Sequence, residues 1–497
     1  MAVSLGLAVL SLYMLAGTLL AVAARRAGVR SSQDYYVAGY RLGTFLAAMT
    51  YAATTYSAFM IVGLVGFAYS TGTGALGFEL VYFVGTMLLL SLFAPRVWAM
   101  ARGRRWISPA EMLGDLYGSK KLAAAVALVY LYALVPYMSA QVKGIAEAVA
   151  GLAGSNTAYL YGVALGAAVM IAWTLVAGVW SVAVTDTLQG LWMIASASLL
   201  LAWLAGWVAG SIGFDGATRL LGERGLLGLT EFWQPSVFLG FTLPWMFFAA
   251  TNPQAVQRLF MPRSPRALRG MVVWFAVFGL AYTVAVTLIG LLARSLSEAG
   301  LLAPIERRDA VTPTLLAHAP PLLSAMVFTS IVAAAVSTAD SIALSVASSV
   351  VRDLYAPRAR RPSERAEILL GAAVIAALIA AASALALARI GFIVALSVLS
   401  SAILLSTAPA TILAWAKPEL ARGRWHAALA SIASGAALAT AAAIAYGVKA
   451  LAKPLLLGLP APFWTLVVST AVLLALLPLR RETQNKNTRS RRVESVG

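Results

Sequence analysis

The chain has 497 residues, 61% of them hydrophobic and 11% charged, with a formal net charge of +18 and no cysteine; its mean hydropathy is +0.84. A soluble domain cannot hide that much apolar surface, so the chain reads as an all-α integral membrane protein. The lack of cysteine excludes disulfides, thiolate metal sites and cysteine nucleophiles. The basic excess lies in short loops between apolar runs, which points to membrane topology and not to nucleic acid.

Thirteen apolar runs predict transmembrane helices, near 2–24, 42–69, 73–99, 122–151, 156–178, 183–210, 235–259, 269–294, 315–354, 366–388, 391–415, 425–448 and 461–479. The first has no basic residue ahead of it and is longer than a signal-peptide core, so it reads as a retained helix. The run 315–354 is too long for one simple crossing and predicts a tilted helix or one extending into the cytoplasm. With the N-terminus outside, the cytoplasmic segments collect most of the basic residues, among them Arg102, Arg104 and Arg105, then Arg258, Arg263 and Arg266, then Arg352 and Arg358. Twelve or fourteen crossings would break this alternation. The expected arrangement is one multi-pass cell-membrane domain over 1–479, its core helices at about 42–415, followed by a basic, disordered cytoplasmic tail over 480–497.

Several polar residues fall at membrane depth. In the second run, TYAATTYSAFMIVGLVGFAYSTG, Thr50, Thr54, Thr55 and Ser57 precede Gly63, Gly66 and Gly72. This is compatible with a broken helix that exposes carbonyls, or with a straight helix whose hydroxyls bond their own backbone. Glu79 stands in GALGFELVYF. Lys143 and Glu147 are four residues apart, which favours an ion pair on one helix face. Asp186 stands near the start of its helix, where the macrodipole favours a carboxylate. In AAAVSTADS (333–341), Ala334, Ser337, Thr338 and Ser341 recur at helical spacing and share a face. Small residues there serve close helix packing, or their oxygens hold a small hard cation. Asp340 flanks that stripe and is expected to support the site or to bond a neighbouring helix.

Five ordered segments carry a resemblance: DYYVAGYRLGTF, SAFMIVGLVGFAYSTG, TLVAGVWSVAVTDTLQG, NPQAVQRLFMPRSPRALRG and AAAVSTADS…VVRDLY. From about Asp34 to Trp415 the chain resembles the sodium/solute symporter family, which includes the sodium–proline, sodium–pantothenate, sodium–glucose and sodium–monocarboxylate carriers. The resemblance implies a ten-helix core of two inverted five-helix repeats with a broken second and seventh helix. It implies sodium held by the carbonyls of Ala53, Tyr56 and Ala334 and the hydroxyls of Ser337 and Thr338, with Asp186 on the inner sodium pathway or a second sodium site. The matching solute positions are Thr54, Thr55, Phe59, Met60, Glu79, Trp245 and Phe248, with Phe248 at the position of an aromatic lid. Thr55 stands where proline carriers have an aspartate, and Phe59 and Met60 where sugar carriers have a polar pair, which argues against a sugar and against proline; TTYSAF and PYMSAQVKGI resemble the monocarboxylate and pantothenate carriers, and that resemblance implies a small organic carboxylate as the expected solute. Lys143 is a supporting residue that could attract such an anion.

The implied partners are the solute, sodium as coupling ion and the lipid bilayer, with no cofactor and no obligate protein partner. A membrane-embedded enzyme is disfavoured, because His318 and His426 lie far apart and no metal or nucleophile constellation is present. A sensor is disfavoured because no signalling module is attached. Within transport, sodium–amino-acid or pantothenate symport remains open, as does proton coupling through Asp186 or Asp340.

Overall fold

The computed structural model describes residues 2–28, 32–176, 179–359 and 363–478. Among the described residues, helices are joined by short turns, and the only non-helical backbone pairing is two isolated bridges, Leu42–Pro262 and Pro454–Pro460. The tail expected at 480–497 lies outside the described residues.

Among the described residues, ten helices are long and apolar enough to cross a bilayer, and a pair bent by 49°, Thr44–Thr55 with Phe59–Thr71, makes an eleventh crossing. The other two expected crossings are a segment in three pieces, Pro235–Met246, Phe248–Thr251 and Pro253–Arg258, and the shorter helix Ala461–Leu476. In chain order the crossings are α1 (Ala2–Gly28), α2 (the bent pair), α3 (Gly74–Arg104), α4 (Lys120–Ala153), α5 (Ala158–Val176), α6 (Val179–Ser211), α7 (the three-piece segment) and α8 (Pro265–Glu298). They continue as α9 (Pro321–Tyr355), α10 (Glu364–Leu387), α11 (Ile393–Ala416), α12 (Trp425–Tyr446) and α13 (Ala461–Leu476). The two ends of the bundle are called here the far face, where α1 starts, and the basic face, where α3 ends at Arg102 and Arg104.

The packing repeats with an offset of five helices. α2 packs on α6 and α8, and α7 packs on α11 and α3. α4 lies against α5, α10 and α11, while α9 lies against α10, α5 and α6. Each of these contacts of helices 2–6 therefore has its counterpart five helices on. Because five is odd, the second unit runs in the opposite direction, which is the inverted repeat of secondary transporters. α1 packs on α6 and α9, and α12 pairs with α13 outside this core. Leu12, Leu15 and Leu19 on α1 remain exposed, as a lipid-facing surface requires.

The breaks have local causes. In α2 the first half ends at Tyr56, whose φ of −93° and ψ of 113° leave the helix. Ser57 starts the second half, its Oγ accepting from Phe59 N at 3.1 Å and its carbonyl from Met60 N at 2.9 Å. A wide turn over Phe59–Leu64 follows, and Thr312 Oγ1 donates to the Ile61 carbonyl at 2.5 Å. In α7, Pro244 lies inside the first piece and Pro253 opens the last. The long run expected at 315–354 divides into Val311–His318 and α9. Pro320 biases Ala319 away from helix, and Pro321 suits a first helical position.

Candidate functional site

The break in α2 faces the small-residue stripe of α9. Tyr56 N makes the last backbone bond of the first half, to Ala52 O at 2.8 Å. The carbonyls beyond Ala52 meet side chains of α9: Ser337 Oγ donates to Ala53 O at 2.9 Å, and Thr338 Oγ1 lies 3.2 Å from Ala53 O and 3.3 Å from Thr54 O. Ser337 Oγ is also 3.0 Å from Ala334 O. Ala53, Ala334, Ser337 and Thr338 are fully buried. Five neutral oxygens from two helices, Ala53 O, Thr54 O, Ala334 O, Ser337 Oγ and Thr338 Oγ1, thus converge where one helix ends, a donor set suited to a small hard cation. Tyr56, at the break itself, is the adjoining residue whose carbonyl leaves the helix direction.

A polar chain leads from this point toward the basic face. Ser341 Oγ donates to Ser337 O at 2.8 Å, so at the 2.8 Å contact between them Thr54 Oγ1 is the donor to Ser341. Arg258 Nη2 donates to the same Ser341 oxygen at 2.5 Å and lies 4.0 Å from Asp186. Thr50 Oγ1 donates to Asp186 Oδ2 at 2.5 Å. One turn further along α9, Ser345 donates to Gln257 Oε1 at 2.5 Å. Arg258 and Asp186 are buried, so α7, α6, α2 and α9 meet at one paired charge.

On the other side of the break lies an aromatic cluster. Phe59 and Trp245 have ring centroids 5.1 Å apart, Trp245 and Phe248 5.3 Å, Tyr82 and Trp245 5.8 Å, and Tyr137 and Trp245 6.0 Å. Tyr56 meets Tyr82 edge-on at 6.3 Å. Glu79 faces this cluster and is 1% exposed. Together α2, α3, α4 and α7 surround a buried, mostly apolar aromatic cluster with a few polar atoms, the side-chain make-up of a small-molecule site.

Toward the far face, the segment Leu301–Ala319 folds over the bundle. Asp309 accepts from Ile393 N with both oxygens at 3.2 Å, capping α11, and pairs with Lys143 at 2.8 Å. Arg307 forks onto both oxygens of Glu147 at 3.2 and 3.1 Å. The Arg308 guanidinium lies 5.3, 4.9 and 4.8 Å from the ring centroids of Phe67, Phe232 and Phe392. Burial lowers its pKa, and neighbouring Asp309 opposes that shift.

The sequence model of the sodium:solute symporter family matches residues 35–413. The chain belongs to this family. A sodium/pantothenate symporter of Haemophilus influenzae is 25% identical over 335 residues, 65% of this chain and 66% of that protein. A sodium/proline symporter of Staphylococcus aureus is 27% identical over 337 residues, 65% of this chain and 63% of that protein. An uncharacterised symporter of Bacillus subtilis is 30% identical over 117 residues, 24% of this chain and 23% of that protein. The matches therefore span less than two thirds of these relatives' own lengths. In fold, the chain is similar to a substrate-bound, outward-open Na+-coupled sialic acid symporter, with a TM-score of 0.74 at 18% identity over 96% of this chain and 97% of that one. It is also similar to a nucleobase-cation-symport-1 family transporter in a closed conformation, with a TM-score of 0.54 at 15% identity over 91% and 95% of the two chains.

Within this symporter-family fold, the residues singled out from the sequence separate into groups. Ala53, Ala334, Ser337 and Thr338 come together, and Phe59, Glu79, Trp245 and Phe248 gather on the far side of the α2 break. Met60 is buried in the wide turn after the break. Thr54 and Thr55, expected to offer hydroxyls to a solute, are engaged elsewhere: Thr54 with Ser341, and Thr55 with its own Tyr51 carbonyl at 2.7 Å. Asp340 faces α5, where Thr174 Oγ1 donates to it. The expected Lys143–Glu147 pair is replaced by two longer-range pairs, because the folded-over segment brings a helix-capping carboxylate to Lys143 and a bidentate guanidinium to Glu147. Arg258, placed with the basic loops from sequence, is 1% exposed and forms the inner charge pair. Sequence reasoning missed Asp309, Arg307, Tyr82 and Tyr137; Tyr82 carried a signal, lying three residues from Glu79 on the same helix face.

Proposed function

We propose that this chain is a cell-membrane carrier that couples sodium movement to uptake of a small organic solute by alternating access. The observation that carries this reading is the convergence of the Ala53, Ala334, Ser337 and Thr338 oxygens at the α2 break. A sodium ion taken there joins α9 to the first half of α2, and the second half of α2 leads directly to the aromatic recess. Basic loops favour the cytoplasm, so the N-terminus is outside and the basic face inside. In that orientation Leu301–Ala319 seals the outer side and the Arg258–Asp186 pair underlies the inner side. Arg258 answers the charge of Asp186, which supports one sodium per cycle over a second metal cation at Asp186. Each charge moved inward gains about 2.3 kcal/mol per 100 mV of membrane potential.

The resemblance favoured an organic carboxylate as solute. That reading loses its cation, because Lys143 pairs with Asp309, and it brings the anion beside Glu79. The coupling test is uptake into proteoliposomes of a solute identified by thermal-shift screening of carboxylates, amino acids and amines. Uptake should follow an imposed sodium gradient; uptake driven by a proton gradient alone overturns the sodium assignment.

A further inference from the structure

Among the described residues, the cluster between α2, α3, α4 and α7 combines a buried carboxyl with aromatic faces and has no ion-paired basic side chain. Glu79 is 1% exposed, and its Oε2 has no hydrogen-bond partner. Among the described residues, the Tyr82 hydroxyl is buried without a partner, while the Trp245 indole lies beside Glu79, the Tyr56 hydroxyl beside Thr283 and the Tyr137 hydroxyl beside Ser57 without completing hydrogen-bond geometry. Polar atoms that are buried and unmatched by the protein are costly unless a ligand completes them. Here they share one wall: Trp245 lies within 6.0 Å, centroid to centroid, of Tyr82, Tyr137, Phe59 and Phe248.

The charge balance is one-sided. Lys143 is held by Asp309 and the Gly391 carbonyl. Arg258 is held by Ser341 and Asp186, and Arg308 is stacked among three phenylalanines. Among the described residues, the ion pairs that reach into the core leave Glu79 without a basic partner. The neutral oxygens proposed for sodium belong to α2 and α9, and Glu79 is not among them.

We infer that the solute of this site carries a cationic nitrogen, as a protonated or quaternary amine, whose charge is met by Glu79 and whose N-linked carbons lie on the Trp245, Tyr82 and Tyr137 faces. An ammonium is attracted by both partners, a carboxylate and the electron-rich faces of Trp and Tyr. A solute anion would gain from neither partner and would meet a like charge once Glu79 ionises. Two solute types share this chemistry, net-cationic amines and zwitterions, whose carboxylate would then lie away from Glu79. The inference rests on the symport reading only in taking this recess as the solute site.

The test uses the full-length protein in detergent, titrated with choline, putrescine, glycine betaine and proline, and with lactate and glucose as controls, in the presence and absence of sodium. At least one nitrogen cation should bind saturably while lactate and glucose do not; choline or putrescine binding marks the net-cationic class, and glycine betaine or proline the zwitterionic class. Glu79→Gln should weaken that binding at least tenfold while leaving the sodium-induced change in tryptophan fluorescence in place. Trp245→Leu should weaken it and Trp245→Phe largely restore it, which keeps the inference testable if Glu79→Gln fails to fold. Binding of lactate or glucose alone, silence of all four nitrogen compounds, or unchanged affinity in both Glu79→Gln and Trp245→Leu overturns it. Amine binding that ignores sodium overturns the coupling reading and leaves this inference standing.

Discussion

Lys143 and Asp309 face each other at 2.8 Å with both side chains buried, joining α4 to the segment that caps α11. A buried pair need not add net stability, yet removing one partner strands the other charge at a cost of about 3–5 kcal/mol. Lys143→Met should therefore lower unfolding stability by an amount of that order, and Lys143→Met with Asp309→Leu should cost less than Lys143→Met alone. Thermal unfolding of the three variants in detergent checks this; additive losses would show that the residues act independently.

Gly66 gives a second handle on the same segment. A Cβ at this position would lie 1.9 Å from the Arg308 backbone oxygen, far inside contact distance, so the backbone of the segment must move. Gly66→Ala should lift Leu301–Ala319 and open the recess to the outer solution. The chain has no native cysteine, so a single cysteine placed at Tyr137 reports access cleanly. Faster labelling by a membrane-impermeant thiol reagent is expected in Gly66→Ala; an unchanged rate would refute the proposed seal.

Ser337→Ala and Thr338→Ala each delete one oxygen of the proposed sodium site. A hydrogen bond or ligand contact to a charged group contributes about 1.5–3 kcal/mol, so half-saturating sodium should rise roughly tenfold to a hundredfold. Sodium titration of tryptophan fluorescence measures this directly. Normal sodium dependence in both variants would sink the site assignment.

At the basic face, Thr50→Val removes the hydroxyl that donates to Asp186. The loss should be about 1.5–3 kcal/mol in unfolding stability, because the acceptor is a buried carboxylate. Arg258→Lys keeps the charge but not the guanidinium whose Nη2 meets Ser341 and Asp186 while Nη1 reaches the Gln254 carbonyl, and it should destabilise less than Arg258→Met. Equal melting temperatures for Arg258→Lys and Arg258→Met would show that charge plays no part there.

The helices of this fold are legible because hydrophobic length and basic loops are written locally in the chain. The α9 stripe is legible for the same reason: helical spacing alone puts Ala334, Ser337 and Thr338 on one face. What the sequence conceals is long-range. Lys143 and Glu147 satisfy the local rule for a helix ion pair, yet partners more than 150 residues away displace it. Arg258 follows an apolar helix and precedes three further arginines, so it looks like a loop residue until α9 is packed over it. The hydroxyls of Thr54 and Thr55 point to a solute by type, but their partners are fixed by Ser341 and by the Tyr51 carbonyl.

Tyr56 stands where α2 stops, its backbone turning beside the oxygens proposed for sodium while its ring packs edge-on against Tyr82 in the aromatic cluster. One residue thus borders both proposed sites, with its main chain on one side and its side chain on the other. If sodium and solute occupy the two proposed sites, a backbone rotation here that changes the ion's coordination also shifts the anchor of the phenol, and binding of one alters the shape offered to the other. Thermodynamic linkage then makes the influence mutual, typically 1–3 kcal/mol for coupled sites. On the proposed site assignment, communication between ion and solute needs no relay through distant helices: the two dihedral angles of a single tyrosine suffice.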